Sequence, residues 1–375
     1  MISFQLSAKL EKELKRFQGA LVETYQEIES CADEEVDYLH RCALISTVGA
    51  STRIENAALT DPEIEWVDTT LTRDAHTTAF ASKKKLILDK LCKDRERSVD
   101  EVVGNRDALT TVYAQAKELF PLRESTVKGL HRELLQYYRP ARHHAGDYKT
   151  TPNRVVSVNH ATREESVVLE PTPPGILTST AVSDLIGWYN QTLPDYLWPL
   201  LTATEFVFRF LAIHPFQDGN GRLGRALFLM ALLQSDDKYL SRVVPLISID
   251  RHIEQNRSMY YTVLQQCSSG KYRPDPRRYR LEPLAWFFLR AIDAALKDVK
   301  TYRTRYQNLQ RFSEAAMTVL RCFKESPEKR LQVSDIEVTT ALPRRTIQRV
   351  VKTLSGQGFL QTLGQGAGSR YQLLF

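Results

Sequence analysis

Residues 203 to 234 constrain the fold more than any other stretch: two apolar runs, ATEFVFRFLAI and ALFLMALLQ, are joined by HPFQDGNGRLGR, His214 to Arg225. In the first run Phe206 and Phe210 stand at i and i+4 with Val207 and Leu211 beside them, so a helix here is expected to be buried nearly all round. After the loop, Leu223, Leu227, Met230 and Leu233 carry the spacing of one buried helical face. A second helix therefore begins inside the loop. Gly219 and Gly221 allow positive φ and leave no Cβ in the way, so backbone N–H groups can close around an anion. Asn220 between them is the expected N-cap. The helix N-terminus adds free donors and the positive end of a dipole, which together favour phosphate. Arg222 and Arg225, at i and i+3, are expected to project from one side and grip phosphate oxygens. Asp218 is a hard oxygen ligand suited to Mg²⁺ shared with those phosphates. His214 is the only side chain of the loop that accepts a proton near neutral pH, and Phe216 is expected to plug the loop into the core. A base, an anion nest and a metal-binding carboxylate this close together suit a nucleoside triphosphate held beside a hydroxyl.

The composition fits a soluble enzyme. A chain of 375 residues, 42% hydrophobic and 26% charged, is ordinary globular usage with room for two or three domains. The most apolar stretch, YLWPLLTATEFVFRFLAI, is interrupted by Glu205 and Arg209, so no membrane span is expected. The N-terminal MISFQLSAKLEKELKRF is amphipathic and lacks the apolar core of a signal peptide. Cys31, Cys42, Cys92, Cys267 and Cys322 are scattered and odd in number, which points to free thiols in a reducing cytoplasm and away from zinc.

The loop resembles the signature of the Fic family, H-x-F-x-D/E-G-N-G-R-x-x-R, which His214, Phe216, Asp218, Gly219, Asn220, Gly221, Arg222 and Arg225 fill without a departure. Eight fixed positions at roughly one in twenty each put a chance match on the order of 10⁻¹⁰ per start site. The resemblance implies a mainly α fold, a Fic-type helical core with a β-hairpin flap, and a protein adenylyltransferase activity. In that reading His214 takes the proton of a Ser, Thr or Tyr hydroxyl, which attacks the α-phosphorus of ATP. Asp218 binds Mg²⁺; Gly219, Asn220, Gly221, Arg222 and Arg225 bind the phosphates. Upstream, Ser51-x-x-x-Glu55-Asn56 resembles the family's inhibitory motif S/T-x-x-x-E-G/N. Glu55, delivered to Arg225, would take the place of a γ-phosphate oxygen, and Ser51, one turn earlier, would bond to the loop or its phosphates. The segment IDRHIEQNRSMYYTVLQQC resembles one that lines the adenosine pocket, and implies that Asn256 and one of Tyr260 and Tyr261 serve there.

The rest of the chain supports this centre. Residues 1 to 45 are amphipathic and helical, with Leu6, Leu10, Leu14, Phe17, Val22, Tyr25 and Ile28 on the apolar side. Residues 63 to 120 continue helical, with solvated basic runs at Lys83 to Lys85 and Lys93 to Arg97; Leu59 to Pro62 ends one helix and caps the next. EVVGNRDALTTVYAQAKEL, from Glu101, resembles the first Fic helix, and a second is expected from a Ser125 cap, with His131 as a core residue. Val155, Val156 and Val158 face Val167, Val168 and Leu169 across a polar turn, which makes a hairpin. It resembles the family's flap, so residues 153 to 170 are the expected seat of a target protein, bound by strand addition.

Residues 301 to 375 hold 12 lysines and arginines against 5 acids, a net of +7 in a chain whose total is +6. A separate module with its own partner is expected there. Its pattern is helix, turn, a helix from Pro343 to Leu354, then two strands around a glycine-rich tip, which resembles a winged helix-turn-helix. Arg344, Arg345, Arg349, Lys352 and Arg370 lie in residues 343 to 375 with no acid, as contact with a DNA backbone would require. Protein contact is the other use of such a module, and both readings stay open. The expected division is 1–100 for the inhibitory helical region, 101–300 for the catalytic core and 301–375 for the tail. Three alternatives remain: a DNA-binding regulator whose core senses nucleotide, transfer from a different phosphate donor, and removal of AMP. A homo-oligomer is compatible with all of them.

Overall fold

The computed structural model describes residues 1–72, 80–91, 95–158 and 165–374. Cys92, Lys93 and the polar turn of the hairpin lie outside the described residues. In chain order the elements are α1 (Ala8–Glu29), α2 (Asp33–Ile54), α3 (Asp61–Thr72), α4 (Phe80–Leu91), α5 (Glu96–Gln115), α6 (Glu124–Leu135), β1 (Val155–Val158) and β2 (Glu165–Leu169). They continue with α7 (Ile176–Thr192), α8 (Pro199–Ile213), α9 (Asn220–Gln234), α10 (Lys238–Val243), α11 (Ile249–Gln255), α12 (Arg257–Ser268) and α13 (Glu282–Gln310). Last come α14 (Glu314–Lys324), α15 (Val333–Thr340), α16 (Arg344–Gly356), β3 (Leu360–Leu363) and β4 (Arg370–Leu373). The protein is mainly α, as expected, and none of its described helices is long and apolar enough to cross a membrane.

The chain forms two compact units, one of residues 1–57 and 100–299, the other of 58–99 and 300–375. The division at 299/300 lies within α13, and residues 1–57 and 58–99 fall in different units.

In the first unit α8 and α9 are the centre. Residues 200 to 208 of α8 are buried without a break, as its apolar pattern demands. For α9 the reading of one buried face was too modest: Arg222 and every residue from Leu223 to Gln234 are buried, so the helix is enclosed all round. Around the pair, Tyr189 of α7 stacks on Phe206 with ring centroids 4.2 Å apart, and Phe228 stacks on Phe288 of α13 at the same distance. On α1, Leu10, Leu14, Phe17, Leu21, Thr24 and Ile28 are buried; Leu21 and Thr24 take the inward positions expected of Val22 and Tyr25. Ser7 caps that helix by accepting the Leu10 N–H. The expected Ser125 cap is not used, because α6 starts two residues before the helix such a cap would open, at Glu124 after Arg123, which makes no side-chain cap bond. β1 and β2 pair antiparallel with Val156 opposite Val167, both partly exposed, so this hairpin presents an apolar face outward.

The second unit holds α3, which opens on a capping box: the Glu63 carboxylate accepts the Thr60 N–H at 2.8 Å. Its C-terminal part is three helices followed by a hairpin, with a core of its own that includes Phe323, Ile336, Ile347 and Phe359. Leu331 bridges Tyr371, so β4 lies between that short segment and β3.

Candidate active site

His214 ends α8 in a left-handed conformation, φ 50°, a region that costs a non-glycine residue about 1 kcal/mol or more. Its surroundings hold it there. The Lys149 N–H donates to Pro215 O at 2.8 Å, while the Lys149 ammonium donates to Ile213 O at 3.1 Å and to Asn153 Oδ1 at 2.9 Å. Thr172 donates to Ile213 O at 2.9 Å, and Asn153 Nδ2 to Phe216 O at 2.8 Å. Every carbonyl from Ile213 to Phe216 but that of His214 thus has a close donor fixing it. Burial brings Lys149 down to about 8.

The His214 ring is set by the same turn. Nδ1 lies 3.2 Å from Leu211 O, an acceptor only, so Nδ1 carries the proton and Nε2 keeps its lone pair. Burial, opposed by that bond and assisted by the nearby Lys149 charge, lowers the imidazole to about 4. At neutral pH it is an uncharged acceptor, the form a general base needs.

Phe216 is fully buried and stacks on His131 with ring centroids 3.8 Å apart and planes at 13°. His131 Nδ1 accepts the Gly146 N–H at 2.8 Å, so Nε2 donates to Asp218 O at 2.9 Å and ties the loop to the segment after α6. Asn220 is not the N-cap expected of it. It is the first residue of α9, and its side chain is spent within the loop, accepting the Phe216 N–H at 2.9 Å and donating to Phe216 O at 2.7 Å. Gly219 is the cap residue, at φ 75°, where an L side chain is strained. Gly221 does not have the positive φ expected of it; its value is the missing Cβ, whose place is taken by the Glu55 carboxylate. The first amides of α9 have no intrahelical acceptor, so an anion lying there meets donors already aimed.

The two arginines of α9 engage different protein neighbours. Arg225 is buried and donates from Nε to Ser51 Oγ at 3.0 Å and from one terminal nitrogen to Ser51 O at 2.7 Å and Glu55 Oε1 at 3.1 Å. Asp250, equally buried, stands 3.4 Å from Nε. Burial works against the Arg225 charge, but Glu55 and Asp250 outweigh it and hold the guanidinium above its ordinary value. Burial raises Asp250 as well, against the pull of Arg225 and Ser51. Glu55 itself is partly exposed, because α2 stops beside it: Asn56 takes φ 71°, and the Asn56 and Ala57 N–H groups bond back to Arg53 O and Thr52 O at 3.0 Å. That is a Schellman ending, and asparagine is one of the few residues that accept its left-handed position. Arg222 is buried with Glu101 4.0 Å away and Asp218 3.9 Å away, and its Nε and one terminal nitrogen have no hydrogen-bond partner. A buried guanidinium with open donors beside a helix N-terminus is poised for an anion.

Residues 121–232, which contain this loop, match the Fic/DOC family. They are a Fic domain. Among curated relatives, the protein adenylyltransferases Fic of Drosophila willistoni and Drosophila melanogaster are each 24% identical over 204 residues, 54% of this chain and 36% of theirs. The chain thus spans about a third of the length of the relatives it matches. Among solved structures, a Fic family protein from Desulfovibrio desulfuricans superposes with a TM-score of 0.56 at 18% identity, covering 100% of this chain and 98% of that one. A Fic domain-containing signalling protein from Bacteroides thetaiotaomicron gives 0.56 at 22%, covering 79% and 97%.

Around the Fic loop the remaining expected residues are unevenly placed. Tyr260 is buried against Phe287 and Phe288, with no open face, while its neighbour Tyr261 is partly exposed with Arg257 5.9 Å from its ring centroid. Asn256 sits exposed where α11 meets α12 and donates to His252 O at 2.9 Å. Asp218 is half exposed; its Oδ1 accepts the Gly219 N–H at 2.6 Å. Among the described residues no group of three or more metal-binding side chains occurs, so a cation here would have this single carboxylate and would need phosphate and water for the rest, as Mg²⁺ accepts. Sequence reasoning missed Lys149, Asn153, Asp250 and Glu101. Each acts through contacts between segments distant in the chain, for which a single sequence carries no spacing signal.

Proposed function

We propose that this protein transfers AMP from ATP to a Ser, Thr or Tyr hydroxyl of a target protein, and that Glu55 restrains the reaction. The observation that carries the reading is the neutral His214, with Nε2 open, at the mouth of a helix N-terminus that also presents two buried arginines. In this reading the triphosphate lies along the first turn of α9, with the amides of Asn220 and Gly221 and the open donors of Arg222 on its oxygens, the Gly219 N–H being taken by Asp218. Asp218 would hold Mg²⁺, which supplies charge neutralisation to the phosphates when bound. The β1 side of the hairpin holds an extended target segment by main-chain bonds, the β2 side being engaged by Gln265 and Lys271. His214 Nε2 takes the hydroxyl proton, the oxygen forms a bond to the α-phosphorus, and the bond from that phosphorus to the β-bridging oxygen breaks, releasing pyrophosphate. Positioning and charge stabilisation supply most of the acceleration.

The restraint follows from the same contacts. Glu55 occupies the solvent side of Arg225 and the space over Gly221, which a γ-phosphate would otherwise share. A carboxylate there repels the phosphate oxygens and consumes the guanidinium's outward donor. Tyr261 is the aromatic side chain available to the base of the nucleotide. The test uses ATP radiolabelled at the α-phosphorus or at the γ-phosphorus. Label entering protein from the first and not the second supports AMP transfer; label from the γ position alone refutes it in favour of a kinase-like reaction.

A further inference from the structure

AMP transfer as proposed uses no residue beyond α13, and the basic tail is left without a task. Its elements have a definite order: α14, the short segment at Leu331, α15, α16, then β3 and β4, with Leu331 pairing to Tyr371 of β4. α15 and α16 are joined by residues 341–343, where Ala341 takes φ 54°, a turn tight enough to set two short helices at an angle. α16 buries Ile347, Val350, Val351 and Leu354. At 100° per residue, Arg345, Arg349 and Lys352 fall within about 60° of one another on the opposite side. All three are exposed, and among the described residues none has an acidic partner, whereas Arg344 is paired with Glu337 at 3.6 Å. No acid occurs from residue 343 onward.

We propose that α16 binds duplex DNA in the major groove, with the outward line of Arg345, Arg349 and Lys352 entering the groove and reaching its flanking phosphates, Gln348 to one side of that line, and Arg370 of β4 on the adjacent backbone. The stripe is about 10 Å long at 1.5 Å per residue, a match to a groove about 12 Å wide. Other partners fit less well. The outer side of α16 exposes no apolar residue of the kind that anchors a helix in a protein groove. It also exposes no aromatic ring on which single-stranded bases would stack. The deep, narrow major groove of A-form RNA would not admit it.

The experiment is a fluorescence anisotropy titration of a labelled mixed-sequence DNA duplex with the full chain, at low and at physiological salt. The parent should bind, more weakly as salt rises. Arg345→Ala/Arg349→Ala/Lys352→Ala should weaken binding at least about tenfold and flatten the log–log salt slope by about 2 to 3. Those side chains are exposed, so far-UV circular dichroism should be unchanged. Lys271→Ala/Arg277→Ala/Arg278→Ala removes the same charge from another exposed loop and should stay within about twofold of the parent. No binding at low salt would overturn the proposal, as would equal losses in the two triple variants. Binding to single-stranded RNA or to poly-glutamate with none to the duplex would overturn it too.

Discussion

His214 has to accept a proton at neutral pH while sitting among buried groups, and its environment settles which form it takes. Its carbonyl contact at Leu211 fixes the tautomer, and burial drops the imidazole to about 4. Since the shift is downward, the base stays unprotonated from neutral pH until the pH approaches that lowered value. The rate of self-modification by Glu55→Gly should therefore be flat from pH 8 down to about 5.5, well above a fall near 4. A fall centred near 6.5, the ordinary histidine value, would show that His214 is not held as described. The residues of this loop were legible because glycine, asparagine, arginine and histidine in fixed order have few other uses. Their exact employment was not. The sequence predicts a cap at Asn220, whereas its side chain braces Phe216, because both uses ask for the same short amide near a turn.

At the scale of elements, two segments decide what the loop can do. The end of α2 carries Glu55, and it is pinned by a two-pronged Arg53–Glu254 contact at 2.7 and 3.0 Å to α11 and by Arg257 donating to Asn56 at 3.1 Å. Arg53→Ala should loosen that end and raise self-modification several-fold, less than Glu55→Gly does, since only the placement of the carboxylate is weakened; a partly exposed pair of this kind is worth about 1 kcal/mol. A rate equal to that of the parent would mean that α2 needs no such anchor. The segment after α6 carries Lys149, which holds Ile213 O and Asn153. Lys149→Met keeps the buried stem and removes the donor, so His214 should lose its aim: kcat should fall by about 10²-fold with ATP affinity little changed. Loss of ATP binding in step with kcat would assign Lys149 to the phosphates instead. Element positions were largely readable from periodicity, and the hairpin from its valines. The Ser125 cap failed because a serine two residues into a helix looks, in sequence, like one just before it.

For the whole molecule, buried histidines couple stability to pH. His131 and His214 are both lowered from 6.5 to about 4 by burial. Between those values the unfolded chain binds protons that the folded chain does not, so stability falls as pH drops from about 6.5 toward 4. Each should cost about 1–2 kcal/mol between pH 7 and pH 5, read by urea unfolding, and His131→Gln should remove about half of that loss. A parent equally stable at both pH values would contradict the burial of these rings. The charge imbalance of the tail was legible from counting, and its element order from turns and apolar spacing. That α13 would carry straight through residue 300, and that residues 58–99 would belong with the tail, was not, since both depend on which surfaces meet after folding.

AMP transfer by way of His214 and its restraint by Glu55, as proposed above, are separable in one experiment. Intact-mass spectrometry of Glu55→Gly protein after incubation with ATP and Mg²⁺, beside parent and a Glu55→Gly/His214→Ala double variant, tests both parts at once. An added AMP mass is expected in the single variant, little or none in the parent, and none in the double variant. AMP addition in the double variant, or equal addition in parent and Glu55→Gly, would contradict the proposal.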